Sequence, residues 1–251
     1  MIRRFVGDIG LFFYMRKVAI LVDGGFYRKK ASFHFGYKSS SERASELIKY
    51  CKMHLIERPL FPSKIAGLDR YNDLYRIFYY DCPPIKETVY HPLLKKNINF
   101  SKTETYAWMI SFLEELKHKR SLALRLGVLA NETAHYGLKK EIIKKVFSQE
   151  LDISKIKEED FELVLKQKGV DMKIGIDIAT IAYKRLANQI VIITGDSDFV
   201  PVAKLARREG IDFIIDPMGN KLRSDLIEHV DGIRSYYKAK CFYTKPVDPQ
   251  T

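Results

Sequence analysis

An open α/β sheet of mainly parallel strands is the fold class that the sequence predicts, on three observations. Residues 18–22 (VAILV) and 190–194 (IVIIT) are short aliphatic runs with the composition of strands buried on both faces. Each run stops beside glycine and carboxylates, at Asp23-Gly24-Gly25 and at Gly195-Asp196-Ser197-Asp198. From residue 161 to residue 215 strand-like and helix-like patterns alternate, which implies parallel pairing through right-handed crossovers. In such a sheet the carboxyl ends of the strands border the ligand crevice, so acids at strand ends reach a common rim.

The chain has 251 residues, 46% of them hydrophobic, which is enough for a real core. One domain, or one domain with an insertion, is therefore expected, and global disorder is excluded. A formal net charge of +12 suits a polyanionic partner, RNA or DNA, better than a small neutral metabolite. Cys51, Cys82 and Cys241 form no CxxC pair, so neither a disulfide framework nor a zinc site is indicated, and a reducing cytoplasm is expected. The first residues superficially resemble a signal peptide, but Asp8 interrupts the apolar run and no small-residue cleavage site follows. No apolar run reaches the ~18–20 residues that a membrane-spanning helix needs.

Taken in order, residues 1–15 read as an N-terminal extension. After the first strand, Gly24 and Gly25 allow a tight turn into Phe26, Tyr27, Arg28, Lys29 and Lys30. Ser39 to Ser41 mark a break, and Leu47, Ile48, Cys51 and Leu55 recur at helical spacing over 45–56. Residues 71–80 are an aromatic strand stopped by Asp81, for which a strand-terminating role is expected. Ser101 or Thr103 caps a helix through Trp108, Leu113 and Leu116. A strand over 122–129 and a lysine-rich helix over 139–149 follow. A short strand over 161–165 leads to a helix with Ile174, Ile178, Ile181 and Ala182 on one face. Beyond the second acidic strand come a helix over 199–208 with Pro201 in its first turn, a strand over 211–215, and a helix over 221–229. Residues 236–251 read as a frayed tail. The domain then spans 16–235, with an inserted helical segment over about 83–160.

Asp171 stands where a helix begins, which suits either an N-cap or a metal ligand. Asp177 lies roughly 9 Å further along that helix at 1.5 Å per residue, too far to share an ion with Asp171, and is placed to position Lys173 instead. Carboxylates gathered within a few ångströms repel unless a cation neutralises them. Oxygen-only donors without Cys or His favour Mg2+ or Mn2+ over Zn2+, and phosphodiester hydrolysis is the matching chemistry. His91, His118, His135 and His229 lack metal-ligand spacing, and no GxxxxGK[ST] or GxGxxG occurs at a strand-to-helix junction.

Three blocks, VAILVDGGFY (18–27), KGVDMKIGIDIATIA (168–182) and IVIITGDSDFVPVAKLARREG (190–210), resemble the NYN domain, in its LabA-like branch, within the PIN-like nuclease superfamily. The resemblance implies a Rossmann-like three-layer α/β/α fold with a mainly parallel central sheet, and a metal-dependent ribonuclease. It assigns Asp23, Asp171, Asp196 and Asp198 as catalytic and metal-holding acids, and Asp177 as a further acidic position. Thr194 and Ser197 match small polar positions that orient water or phosphate. The family commonly has Asn three residues after the first acid, where this chain has Phe26.

The expectation is a cytoplasmic Mg2+- or Mn2+-dependent endoribonuclease, with Lys29, Lys168 and Lys173 guiding the RNA backbone. DNA is not excluded as substrate, no membrane partner is expected, and self-association stays open. Two other classes suit the same residues. One is an RNA-binding regulatory module with weak or no cleavage; the other is a metal-dependent phosphatase or nucleotide hydrolase.

Overall fold

The aliphatic run after Arg16 forms strand β1 (Lys17–Asp23), and its residues Val18 to Val22 are fully buried because both faces of the strand are covered. The computed structural model describes residues 16–57, 70–130 and 134–242. Around β1 lie β2 (Asp73–Asp81), β3 (Leu122–Leu126), β4 (Gln189–Ile193), β5 (Asp212–Asp216) and β6 (Gly232–Ile233). They form a six-stranded sheet in the order β6-β5-β4-β1-β2-β3, and every neighbouring pair is parallel. The chain winds outward from β1 in one direction and from β4 in the other. The order therefore reverses between β1 and β4, which is where a doubly wound sheet opens its crevice.

Alternation along the strands sorts side chains between two layers of helix. Val18, Ile20, Val22, Val191 and Ile193 face α1 (Gly24–Phe35), α2 (Ser40–Met53) and α3 (Glu104–Lys117), packing with Tyr27, Leu47 and Phe112. Helix α4 (Lys140–Phe147) lies outside both layers. Ala19, Leu21, Ile190 and Ile192 face α5 (Val170–Tyr183), α6 (Val200–Arg208) and α7 (Ser224–Ile227), packing with Ile174, Ile178, Ala203 and Leu226. The expected α/β/α sandwich is thus present. Local chemistry sets its helix ends: Ser39 and Glu42 form a reciprocal capping box on α2, and the Thr103 hydroxyl accepts from Tyr106 N at 3.2 Å at the start of α3.

One buried network ties α2 to the sheet. The Asp216 carboxylate at the end of β5 accepts from Tyr50 (2.6 Å), contacts His54 Nε2 (2.9 Å), and accepts from Met218 N (2.8 Å) and the Ser235 hydroxyl. A fully buried carboxylate without such partners would be strongly destabilising.

Several expectations are corrected. Phe161–Val164 is a strand, but it pairs antiparallel with His135–Leu138 outside the main sheet, so the parallel alternation starts later. The stretch over 83–160 is not a helical insertion throughout: it supplies α3 and β3 to the sandwich, and outside it mostly short strands. The final helix is reduced to Ser224–Ile227. The tail is docked at its start, since Tyr236 and Phe242 are buried against α2 and α1. The extension over 1–15 and the tail beyond 242 lie outside the described residues.

Candidate active site

Register and parity decide which strand-end acids meet. Val22 pairs with Ile193, so Asp23 stands level with Thr194 on the neighbouring strand. Both continue the odd–even sequence of Ala19, Leu21, Ile190 and Ile192, so both face the α5 and α6 layer. The Thr194 hydroxyl donates to Asp23 Oδ2 at 3.3 Å, and Thr194 Oγ1 accepts from Asp196 N at 3.2 Å. Asp198 N in turn donates to Asp196 Oδ1 at 3.0 Å. A chain of contacts thus runs from the end of β1 across the switch point into the turn that opens α6.

Asp23 also caps α1, because its Oδ1 accepts from Phe26 N at 3.1 Å. Burial pushes its carboxyl above the ordinary range; the Phe26 N–H and Thr194 hydroxyl oppose the shift, and the charges of Asp81 and Asp171 add to it. Asp171 occupies the first turn of α5, whose N-cap is Gly169 at φ 82° rather than Asp171 itself. Its carboxyl is also raised, by desolvation first and then by Asp196 and Asp198. Asp23, Asp171, Asp196 and Asp198 therefore share one electrostatic neighbourhood. Helices α1, α5 and α6 all present their N-termini to that edge, where aligned N–H groups favour anions.

Among the described residues no three carboxylates, imidazoles or thiolates lie close enough to make a ready-formed metal cage. Asp196 and Asp198 are exposed, and the rim is open. The donor set nevertheless fits a hard cation: all its donors are oxygen, and they repel one another. Mg2+ keeps several waters and takes one or two carboxylates, so it does not require a closed protein cage.

Asp81 has the opposite parity. It follows Tyr79 on the α1 side, where its carboxylate is almost fully buried and takes Arg28 Nη2 at 3.1 Å, Cys82 N at 2.8 Å and the Tyr79 hydroxyl at 3.0 Å. It anchors Arg28 instead of joining the rim. Asp177 is committed as well, to the Tyr80 hydroxyl at 2.8 Å and Arg125 Nε at 3.0 Å. It does not position Lys173, whose Nζ donates to Leu126 O at the end of β3. Lys168 is exposed in a short pairing with Val128–Leu129 just ahead of Asp171. Lys29 is exposed on α1, roughly 8 Å along the helix from its start. Ser197 lies in the turn before α6, where its carbonyl accepts from Val200 N at 3.3 Å.

Two residues at this edge went unrecognised in the sequence. Arg28 sat within a run of cations without distinction, and Asn220 sat in a loop with no periodic signal. A Cβ on Gly195 would lie 2.5 Å from the Phe26 ring and 2.6 Å from Asn220 Nδ2. Only glycine allows both side chains to close on the turn that precedes Asp196. Phe26 thus fills the ground beside Gly195, and its main-chain N–H still serves Asp23.

A doubly wound parallel sheet with acids at its switch point is consistent with a PIN-like α/β protein. The model of the NYN domain matches residues 97–232. The chain belongs to the NYN domain family, within the PIN-like nuclease superfamily. The match does not distinguish the LabA-like branch, and β1 with Asp23 lies ahead of it, although β1 sits at the centre of the same sheet. No curated protein matches the chain. Among solved structures, a protein of unknown function from Vibrio parahaemolyticus is similar at 10% identity, covering 87% of this chain and 91% of that one with a TM-score of 0.42. So loose a likeness carries no argument.

Proposed function

We propose that this chain is a divalent-metal-dependent ribonuclease that hydrolyses RNA phosphodiester bonds at the rim between β1 and β4. The observation that carries the reading is the shared parity of Asp23 and Thr194, which aims the first acid at Asp171 and at the Asp196–Asp198 turn. Asp23, Asp171, Asp196 and Asp198 are the residues that would hold Mg2+ or Mn2+. The bound ion would supply Lewis acidity, lowering the pKa of water and stabilising the leaving oxygen.

The chain's own groups have separate duties. Thr194 fixes the Asp23 carboxylate and the start of the acidic turn through its hydroxyl, and Ser197 lies beside it for phosphate or water. The N-termini of α1, α5 and α6 offset the negative charge of an approaching backbone. Lys168 and Lys29 are exposed and meet the flanking phosphates, while Lys173, anchored on Leu126 O, contributes a fixed charge. The net charge of +12 supplies the long-range attraction for RNA. Among the described residues no helix is long and apolar enough to cross a membrane, and we place the protein in the cytoplasm.

Phe26 favours a second reading, an RNA-binding module with little cleavage, because an apolar ring stands where the family commonly has a carboxamide. Labelled single-stranded RNA incubated with Mn2+ or with chelator separates the two. Cleavage in Mn2+ that is lost in Asp196→Asn supports the ribonuclease; binding under both conditions without cleavage supports the module.

A further inference from the structure

Two excursions grow from the same end of the sheet and pack on each other. One follows β2 and folds into a hairpin of Thr88–His91 with Lys96–Asn99; the other follows β3 and contains the pair His135–Leu138 with Phe161–Val164. Where they meet is an open concavity of about 580 Å³, lined by His91, Tyr136, Lys157, Glu158, Glu159 and Phe161. Its floor is aromatic. The ring of His91 lies 4.3 Å from that of Tyr136 and 5.1 Å from that of Phe161, and Phe100 stacks on Tyr136 at 6.3 Å.

His91 is the informative residue, because it is 1% exposed yet not fully partnered. Its Nδ1 accepts from Leu94 N at 3.4 Å, which in the neutral ring puts the proton on Nε2. Among the described residues that Nε2–H has no acceptor, and the ring lines the concavity. This donor opens on the concavity, where a ligand can supply the acceptor. Glu158 and Glu159 add exposed carboxylate acceptors, and Lys157 adds a cation loosely paired with Glu159 at 4.0 Å. The site therefore asks for a flat π-face, a carbonyl oxygen beside N–H donors, and a nearby negative charge.

We propose that this concavity binds one unpaired nucleobase of single-stranded RNA, guanine in preference to the other bases. Guanine sets a carbonyl next to two adjacent N–H donor groups, which match His91 Nε2–H and one carboxylate. Adenine lacks the carbonyl. Stacking on Tyr136 and Phe161 supplies affinity regardless of base, as in other single-strand binders, and the polar edge supplies the choice. The placement suits a substrate that also reaches the acids: Phe161 and Asp171 are separated by ten residues, a span of at most roughly 35 Å of extended chain. The base site rests on the reading of the rim as an RNA site, and it would set where along a strand cleavage falls.

The test is fluorescence anisotropy in chelator with a labelled oligouridylate carrying one central guanosine, against the same oligomer carrying adenosine. The guanosine oligomer is expected to bind about tenfold tighter, within the range that single-base contacts supply. In the double variant Glu158→Gln, Glu159→Gln the preference should fall to about twofold or less; both side chains are exposed, so folding is not at risk. Tyr136→Ala should weaken both oligomers, with circular dichroism as the folding control. Equal affinities in the unmodified protein, no binding of either oligomer, or a preference that survives in the double variant overturns the proposal. Cleavage in Mn2+ is read separately: preference without cleavage defeats the ribonuclease reading alone, and cleavage without preference defeats the base site alone.

Discussion

Replacing Asp23 by Asn separates the structural duty of this residue from its charge. Asn retains an oxygen acceptor for Phe26 N and is as good an N-cap as Asp, and the Thr194 hydroxyl can accept as readily as donate. What disappears is a half-buried negative charge whose carboxyl is raised by burial and by the neighbouring Asp81 and Asp171. Without metal the variant should be as stable as the parent or more so, by about 0–1 kcal/mol, the range for partly exposed charge pairs. For a chain of this size that is a rise in Tm of about 0–4 °C. With Mn2+ the order should reverse. An ion present at 100 times its Kd stabilises the native state by about 2.7 kcal/mol, or about 5–11 °C in Tm for a domain of this size, and the variant should lose most of that gain. Differential scanning calorimetry with Mn2+ and with chelator measures both. An equal Mn2+ shift in the variant, or a metal-free variant that melts several degrees early, would refute the reasoning.

The remaining predictions concern the same edge. Phe26→Asn should lower stability to urea by about 1–3 kcal/mol through lost packing against Gly195, while raising Mn2+-dependent cleavage per folded molecule. Gly24→Ala should cost more than about 2 kcal/mol, because its Cβ would meet Asp81 Oδ2 and the Tyr79 ring at 2.5 Å. Gly25→Ala, whose Cβ comes no closer than 3.7 Å to Asp23 Oδ1, should be neutral or stabilising by up to about 1 kcal/mol; similar losses in both would contradict the packing argument. In pH–rate profiles the acid limb should move to lower pH as Mn2+ is raised, because protons compete with the ion for Asp23 and Asp171, whose metal-free carboxyls are both raised by burial and by neighbouring carboxylates. The metal-free protein should change in the opposite sense. The raised groups bind protons more tightly when folded, so their contribution to stability is greatest at low pH and is lost as pH rises through their folded pKa values.

The parts legible in the sequence were those written in contiguous residues. The runs ending at Asp23 and at Thr194 announce buried strands because both faces are covered, and the Gly and Asp residues behind them announce the rim. Thr103 declares a helix start through local capping chemistry, whereas the serines at 39–41 read as a break although Ser39 caps a helix that begins at Ser40, ahead of the expected 45. What stayed hidden depends on distant partners. Nothing near Phe161–Val164 tells whether its neighbour is the main sheet or His135–Leu138. Asp81 and Asp23 look alike as strand-end acids, and only the parity of neighbouring strands sends one to Arg28 and the other to the rim. Asp177 reads as a partner for Lys173, and nothing local marks Asp216 as a buried anchor, because Arg125, Tyr80, Tyr50 and His54 arrive from far along the chain.

The most direct measurement is cleavage of labelled single-stranded RNA by the protein and by its Asp196→Asn variant, each with Mn2+ and with chelator. The account predicts cleavage by the unmodified protein in Mn2+ alone, and none by a variant whose melting curve in chelator matches the parent. Cleavage that persists in Asp196→Asn, or that proceeds equally well in chelator, would contradict it.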